Sequence, residues 1–150
     1  SNRVKSIISR WLPPLLWMAQ IYVLSSQSNP ADVLPHFLVS WLWRTRLFGW
    51  RLFLLLGPVG HLVNFGVLAF LLARAFTWKT PYKYKHAILA IGLSFFYGIL
   101  DEIHQLFTPM RSFQVRDIAV NGLGVIIGLI TFSIYHKKQS QKRPGESLLL

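Results

Sequence analysis

Long apolar runs alternate with short polar or basic connections along this chain, at Ile7–Leu24, Leu52–Phe76, His86–Phe107 and Ile118–Tyr135. A bilayer-spanning helix needs roughly 20 predominantly apolar residues. The pattern therefore predicts an all-α membrane protein, a four-helix transmembrane bundle. The first run is short and carries Pro13 and Pro14 near its start, where a first helical turn tolerates proline. No small-residue cleavage site follows Tyr22, Val23 and Leu24, so this run reads as a span rather than a leader. Between the first two runs lies PHFLVSWLWRTRLFGW, where Trp41, Trp43 and Trp50 mingle with Arg44, Arg46 and Arg51. Tryptophan and arginine together suit headgroup depth. Residues 36–50 are thus expected to form an interfacial Trp/Arg-rich segment between helices one and two, its arginines able to grip anionic lipid phosphates. Residues 1–136 form the expected transmembrane domain, and 137–150 a polar cytoplasmic tail expected to be disordered.

Composition sharpens the class. With 53% hydrophobic and only 14% charged residues, the chain is too apolar for an ordinary soluble domain. A net charge of +11 raises nucleic acid as a partner, but the basic residues cluster between apolar runs, as membrane-flanking charges do. Membrane lipids, and no nucleic acid, are the expected partners. Cysteine is absent, which excludes a disulfide framework and thiolate metal ligation. With the N-terminus inside, Arg3, Lys5, Arg10, Arg74, Lys79, Lys83, Lys85, Lys137, Lys138, Lys142 and Arg143 are cytoplasmic. That makes 11 of the 16 basic residues, leaving Arg44, Arg46, Arg51, Arg111 and Arg116 outside. Positive charge favours the inside, so both termini are expected in the cytoplasm. Every lysine then falls inside and every outer basic residue is an arginine, the side chain suited to bidentate grip on phosphate or carboxylate.

On this topology the polar residues gather at one depth. SSQS (Ser25, Ser26, Gln27, Ser28) closes the first span, and GHLVNFG opens the second with His61 and Asn64 on one helical face. At the outer end of the third span come Asp101, Glu102, His104 and Gln105, and the same stripe runs back through Gly98 or Tyr97 to Ser94. Asp117 and Asn121 open the fourth, with Gly124 and Gly128 continuing their face as close-packing positions. Taken singly these residues have structural explanations: helix-end serines, an interhelical His–Asn bond, an Asp cap, an Asp–Arg ion pair. Their common depth is explained more economically by a polar cavity open to the outer face.

The ordered set SSQS, HLVNFGVLAFLL, DEIHQLFTPMR and D-x-x-x-N-G-x-G-x-x-x-G resembles the VanZ-like family of bacterial membrane proteins, from the end of the first span through Gly128. The sequence departs from the family pattern at Met110, where glycine is common. It departs again at Pro58 and Phe65, which stand where a lysine and a tyrosine are frequent. The resemblance implies a multi-pass protein of the bacterial cytoplasmic membrane associated with glycopeptide (teicoplanin-type) antibiotic resistance, without implying a reaction.

Two functions follow as expectations. One is a non-enzymatic protein binding an outer-leaflet ligand: a lipid headgroup, a lipid-linked cell-wall precursor or a lipoglycopeptide. Its ligand-binding residues would be Glu102, His104, Gln105, Arg111, Arg116, Asp117, Asn121, His61, Asn64, Ser25, Ser26 and Gln27, with the arginines clamping the anion. The other is an intramembrane hydrolase or transferase, with Glu102, His104 and Asp101 as its acid–base groups. No HExxH, glycine-rich phosphate loop or GxSxG occurs. Asp101, Glu102, His104, Asp117 and His61 are residue types that could hold a metal in the enzyme reading. Metal is nevertheless expected to be absent or dispensable, because Arg111 and Arg116 would oppose a divalent ion, and no cofactor is expected. Asp101 and Glu102 are about 100° apart on a helix. Asp101 is therefore expected to pair with Arg111 or Arg116, while Glu102, with its longer arm, faces the ligand.

Overall fold

The computed structural model describes residues 2–29, 31 and 34–142. Among them the elements, in order, are α1 (Asn2–Ser25), α2 (His36–Arg44), β1 (Arg46–Leu47), β2 (Trp50–Arg51), α3 (Leu52–Thr77), α4 (Tyr84–Gln105) and α5 (Val115–Lys142). Three of the helices, α3, α4 and α5, are long and apolar enough to cross a membrane. The expected second, third and fourth spans are therefore present.

The first differs. α1 has the length, 24 residues, but Arg3, Lys5, Arg10 and Gln20 dilute its hydropathy, and it is not among the three. It also starts earlier than expected, at Asn2, so Pro13 and Pro14 lie in mid-helix rather than in a first turn. Its contacts nonetheless run the height of the bundle. The Arg10 guanidinium donates to the Ala75 carbonyl at 2.6 Å, the Trp17 indole to the Asn64 carbonyl at 2.9 Å, and Ser26 meets His104 at 3.0 Å. At 1.5 Å per residue, positions 10 to 26 of a helix cover about 24 Å. α1 is thus parallel to α4 and antiparallel to α3.

The bundle is closed most tightly between α3 and α5. A Cβ on Gly124 would run into the Leu62 carbonyl, and one on Gly128 into the Gly66 carbonyl. Only glycine lets the two backbones approach this closely, as at small-residue interfaces between membrane helices. The close-packing reading of Gly124 and Gly128 holds. Phe65, Leu68, Leu72, Val125 and Phe132 fill the core beside this seam, joined by Ile21 from α1 and Ala90 from α4. Outward, Leu15, Leu16 and Val23 on α1, Ile88 and Phe96 on α4, and Ile126, Ile130 and Ile134 on α5 are exposed. Exposed apolar surface of that extent suits lipid rather than water.

Residues 36–51 are a short helix followed by a hairpin, not one helical segment. Arg46 pairs with Arg51 and Leu47 with Trp50 across a turn made by Phe48 and Gly49, with φ of 51° and 84°. Two consecutive positive φ values give a two-residue turn whose twist matches antiparallel strands. Phe37, Trp41, Phe48 and Trp50 are exposed, while Trp43 stacks on Phe53 at 4.4 Å and carries the Arg51 guanidinium at 5.0 Å. At the other end of the chain, α5 continues as helix through Lys142, past the start of the expected tail. Arg143 and the rest of that tail, 143–150, lie outside the described residues.

Candidate functional site

The five acidic residues of the sequence include three between positions 101 and 117. All three are buried at one end of the bundle: Asp101 and Glu102 in the last turns of α4, and Asp117 in the first turn of α5. α4 turns a polar stripe inward here. Its buried residues Ser94, Gly98, Asp101, Glu102 and Gln105 keep the 3–4 residue spacing of a single face. Across from it, the glycine seam holds α3 against α5, so that His61 meets the start of α5.

His61 is the centre of the arrangement. Its Nδ1 lies 2.9 Å from Asn121 Oδ1 and 4.0 Å from Glu102 Oε1, and its Nε2 lies 3.7 Å from Asp117 Oδ2. The Gln105 amide donates to Asp101 at 3.2 Å and to Glu102 at 3.4 Å. Glu102, fully buried, accepts the backbone N–H of Gln114 at 3.0 Å on its other oxygen. One donor atom each from His61, Asp101 and Glu102 can be chosen so that all lie within 4.8 Å of one another. Carboxylates, imidazole and carboxamides from three helices thus converge in the protein interior.

Several expectations change. Asp101 and Glu102 both accept from Gln105, and Glu102 lies 4.0 Å from the His61 ring. Neither pairs with an arginine among the described residues. The Arg111 Nε–H is given to the Gln27 carbonyl at 3.1 Å, while Arg116, 64% exposed, bonds Asp117 at 3.2 Å and Gln114 at 3.0 Å. A guanidinium drawn into the interior would lose its hydration, and carbonyls at the rim satisfy it more cheaply. His104 turns away from the acids, bonding Ser26 and lying against Tyr22 with ring centroids 4.6 Å apart and the rings tilted by 34°. Asn64 contributes its carbonyl, taken by Trp17, rather than joining His61. Ser25 is buried beside Asp101, and Ser26 and Gln27 stay at the end of α1.

A cavity of about 730 Å³ lies near this end, bounded by Asn29, Ala31, Leu34, His36, Val39, Trp43 and Phe53.

Sequence reasoning missed two parts of the site. The backbone N–H of Gln114 carries no signature in the side-chain pattern. Thr108, buried with its hydroxyl 3.5 Å from the Ser25 carbonyl, lies just past the third apolar run, where helical spacing no longer assigns a face. The turn that follows contains Met110 at φ 61°, in the left-handed region glycine favours. The departure from glycine at this position therefore falls where the backbone asks for glycine.

Helices of spanning length enclosing a histidine–carboxylate site define a polytopic helical membrane protein with a polar centre at one end of its bundle. Residues 7–136 match the family described as VanZ/LLP1, and the chain belongs to that family. No curated protein and no solved structure matches the chain.

Proposed function

We propose that this VanZ-family protein binds the polar head of an outer-leaflet ligand at the Gln105 end of the bundle. The ligand is a lipid headgroup, a lipid-linked wall precursor or a lipoglycopeptide, and the biological setting is glycopeptide (teicoplanin-type) resistance. One observation carries the reading: groups from α3, α4 and α5 converge on His61 inside the bundle, where carboxylates cost free energy and persist when they have a task. With both termini cytoplasmic and α1 as a fourth span, this end faces outward. Apart from His61, the acids meet no basic group inside the bundle among the described residues. The ligand part that meets them therefore carries hydroxyl, amide or cationic groups, and a bare phosphate clamped by arginine is disfavoured.

A second reading is favoured by His61 itself. An imidazole between two carboxylates, 4.0 Å from Glu102 and 3.7 Å from Asp117, has the geometry of a general base held by its acids. That arrangement suits hydrolysis or group transfer on a lipid-linked substrate.

The test uses the purified full chain in detergent with a polyprenyl phosphate, a polyprenyl diphosphate-sugar or teicoplanin, read by native mass spectrometry. Wild type is expected to retain one of them, and Glu102→Gln to lose it while remaining helical. Consumption of the lipid-linked substrate selects the second reading. Retention of none of the three, or equal retention by Glu102→Gln, sinks the binding proposal.

A further inference from the structure

We infer that His61, Asp101 and Glu102 form a site for one divalent metal ion, of the class that accepts mixed nitrogen and oxygen ligands, manganese or zinc. The inference deepens the proposed function because it uses the same site, but it requires none of the ligands named there.

Geometry comes first. The three donor atoms lie within 4.8 Å of one another, and His61 Nδ1 and Glu102 Oε1 are 4.0 Å apart. Two ligands on opposite sides of an octahedral ion with bonds near 2.1 Å stand about 4.2 Å apart. Only one of the three pairs can be trans; the other two must close to about 3.0 Å, by rotation of the carboxylate arms about the ion. Asn121 Oδ1, 2.9 Å from the same imidazole nitrogen, is a fourth hard donor within reach. Imidazole suits zinc and its transition-metal neighbours, while carboxylate and amide oxygen suit manganese, so the mixed set selects that class.

The second shell fits as well. With Nδ1 on the ion, His61 presents Nε2–H to Asp117, whose oxygen is already 3.7 Å away. A metal-bound histidine commonly donates its other N–H to a carboxylate in this way, which fixes its ring and its tautomer. The Gln105 amide and the Gln114 N–H orient the two carboxylates from behind.

An independent observation points to a missing partner. Asn121, 1% exposed, has an amide nitrogen that completes no hydrogen bond. Buried polar groups of native proteins are rarely left so. A hydrated ion here supplies water to that amide and positive charge to three carboxylates that otherwise have His61 among them, Arg111 near Asp101 and the largely solvated Arg116 on Asp117. The objection that arginine would repel the ion is removed by where Arg111 and Arg116 point.

The test is equilibrium dialysis of the metal-stripped full chain in detergent against manganese and against zinc, with electron paramagnetic resonance for bound manganese and a thermal melt of each sample. Wild type is expected to bind one ion per chain and to melt higher with it. Glu102→Gln and His61→Ala should each weaken binding at least 100-fold and lose the metal-induced rise. Asp117→Asn should weaken it about 10- to 100-fold, the range for a second-shell carboxylate. His136→Ala, beside Tyr82 and Phe132 at the other end of the bundle, should bind as wild type. Wild type that binds neither ion, or binding unchanged in both Glu102→Gln and His61→Ala, overturns the site. Metal binding without retained lipid or glycopeptide leaves the ion site standing and fails only the proposed function; retained ligand without metal does the reverse.

Discussion

Gly124→Ala is the smallest change that should open the site from a distance. The added Cβ would overlap the Leu62 carbonyl oxygen and lie 3.1 Å from the Leu62 carbonyl carbon and Cα. Every obstructing atom is backbone, so no side-chain rotation relieves the contact. α3 and α5 must separate, or α3 must shift locally around Leu62. Overfilling a packed interior costs about 1–3 kcal/mol even where side chains give way. Separation also weakens the 2.9 Å bond between His61, the neighbour of Leu62, and Asn121, one turn before Gly124. A hydrogen bond of this kind contributes about 1 kcal/mol. The expected loss is therefore about 3 kcal/mol, which for a chain of this size lowers the melting temperature by about 10 °C. Gly92→Ala and Gly122→Ala supply the comparison: a Cβ at position 92 meets nothing within 4 Å, and at 122 only Phe95 at 3.8 Å. Both should be neutral, or stabilising by up to about 1 kcal/mol through helix propensity. Thermal unfolding of the three variants in one detergent, followed by circular dichroism, makes the comparison. If Gly124→Ala melts with the other two, α3 and α5 are not in backbone contact, and the seam described here is wrong.

Met110→Gly should raise stability by about 1 kcal/mol, because φ of 61° strains any side chain and Met110, 95% exposed, gives up little packing; a melting temperature unchanged or lower would show that the turn is not left-handed there. Membrane topology is open to single-cysteine labelling, since the chain has no native cysteine. Ser112→Cys should react with an impermeant thiol reagent in intact cells and Lys79→Cys should not; the reverse pattern would place the site on the cytoplasmic face and refute the outward orientation.

The helices that the apolar pattern predicted best are the three long and apolar enough to cross a membrane. α3, α4 and α5 cover the predicted runs because continuous hydrophobicity leaves the backbone no alternative to helix in a bilayer. α1 was harder because its polar residues are used. Arg10 caps the end of α3 and Trp17 and Met18 offer polar contacts to α3 and α4, so its composition reports tertiary bonds as well as lipid. The hairpin at 46–51 was hidden for a different reason. Two-residue strands are too short to show alternation, and one of the two left-handed turn residues is Phe48, which carries no turn signal. The glycine seam was legible because a four-residue spacing of glycines has few other uses in a membrane helix.

At the site, spacing identified the face and failed on which atoms meet. A helical wheel places Cα–Cβ bonds, and Asp101 and Glu102 are indeed about 100° apart on it. Their carboxylates stand on flexible arms, however, and Gln105, four residues after one and three after the other, gathers both. His104 fits the same wheel and faces α1 instead, because Tyr22 and Ser26 give its ring an aromatic contact and a hydrogen bond. Counting charges along the sequence misled more seriously. Two arginines near two acids look neutral on paper, and ion pairing looks natural. Burial reverses that expectation, since Arg111 stops at the Gln27 carbonyl and Arg116 reaches Asp117 and Gln114 from the solvent side. The interior is left with three carboxylates around one imidazole, an imbalance of charge that no linear count displays. A protein interior does not hold such an imbalance without a proton, a cation or a ligand to meet it. The chemistry of this site is therefore set by what enters from outside the chain, and His61, the one basic group within it, is where that entry should first be felt.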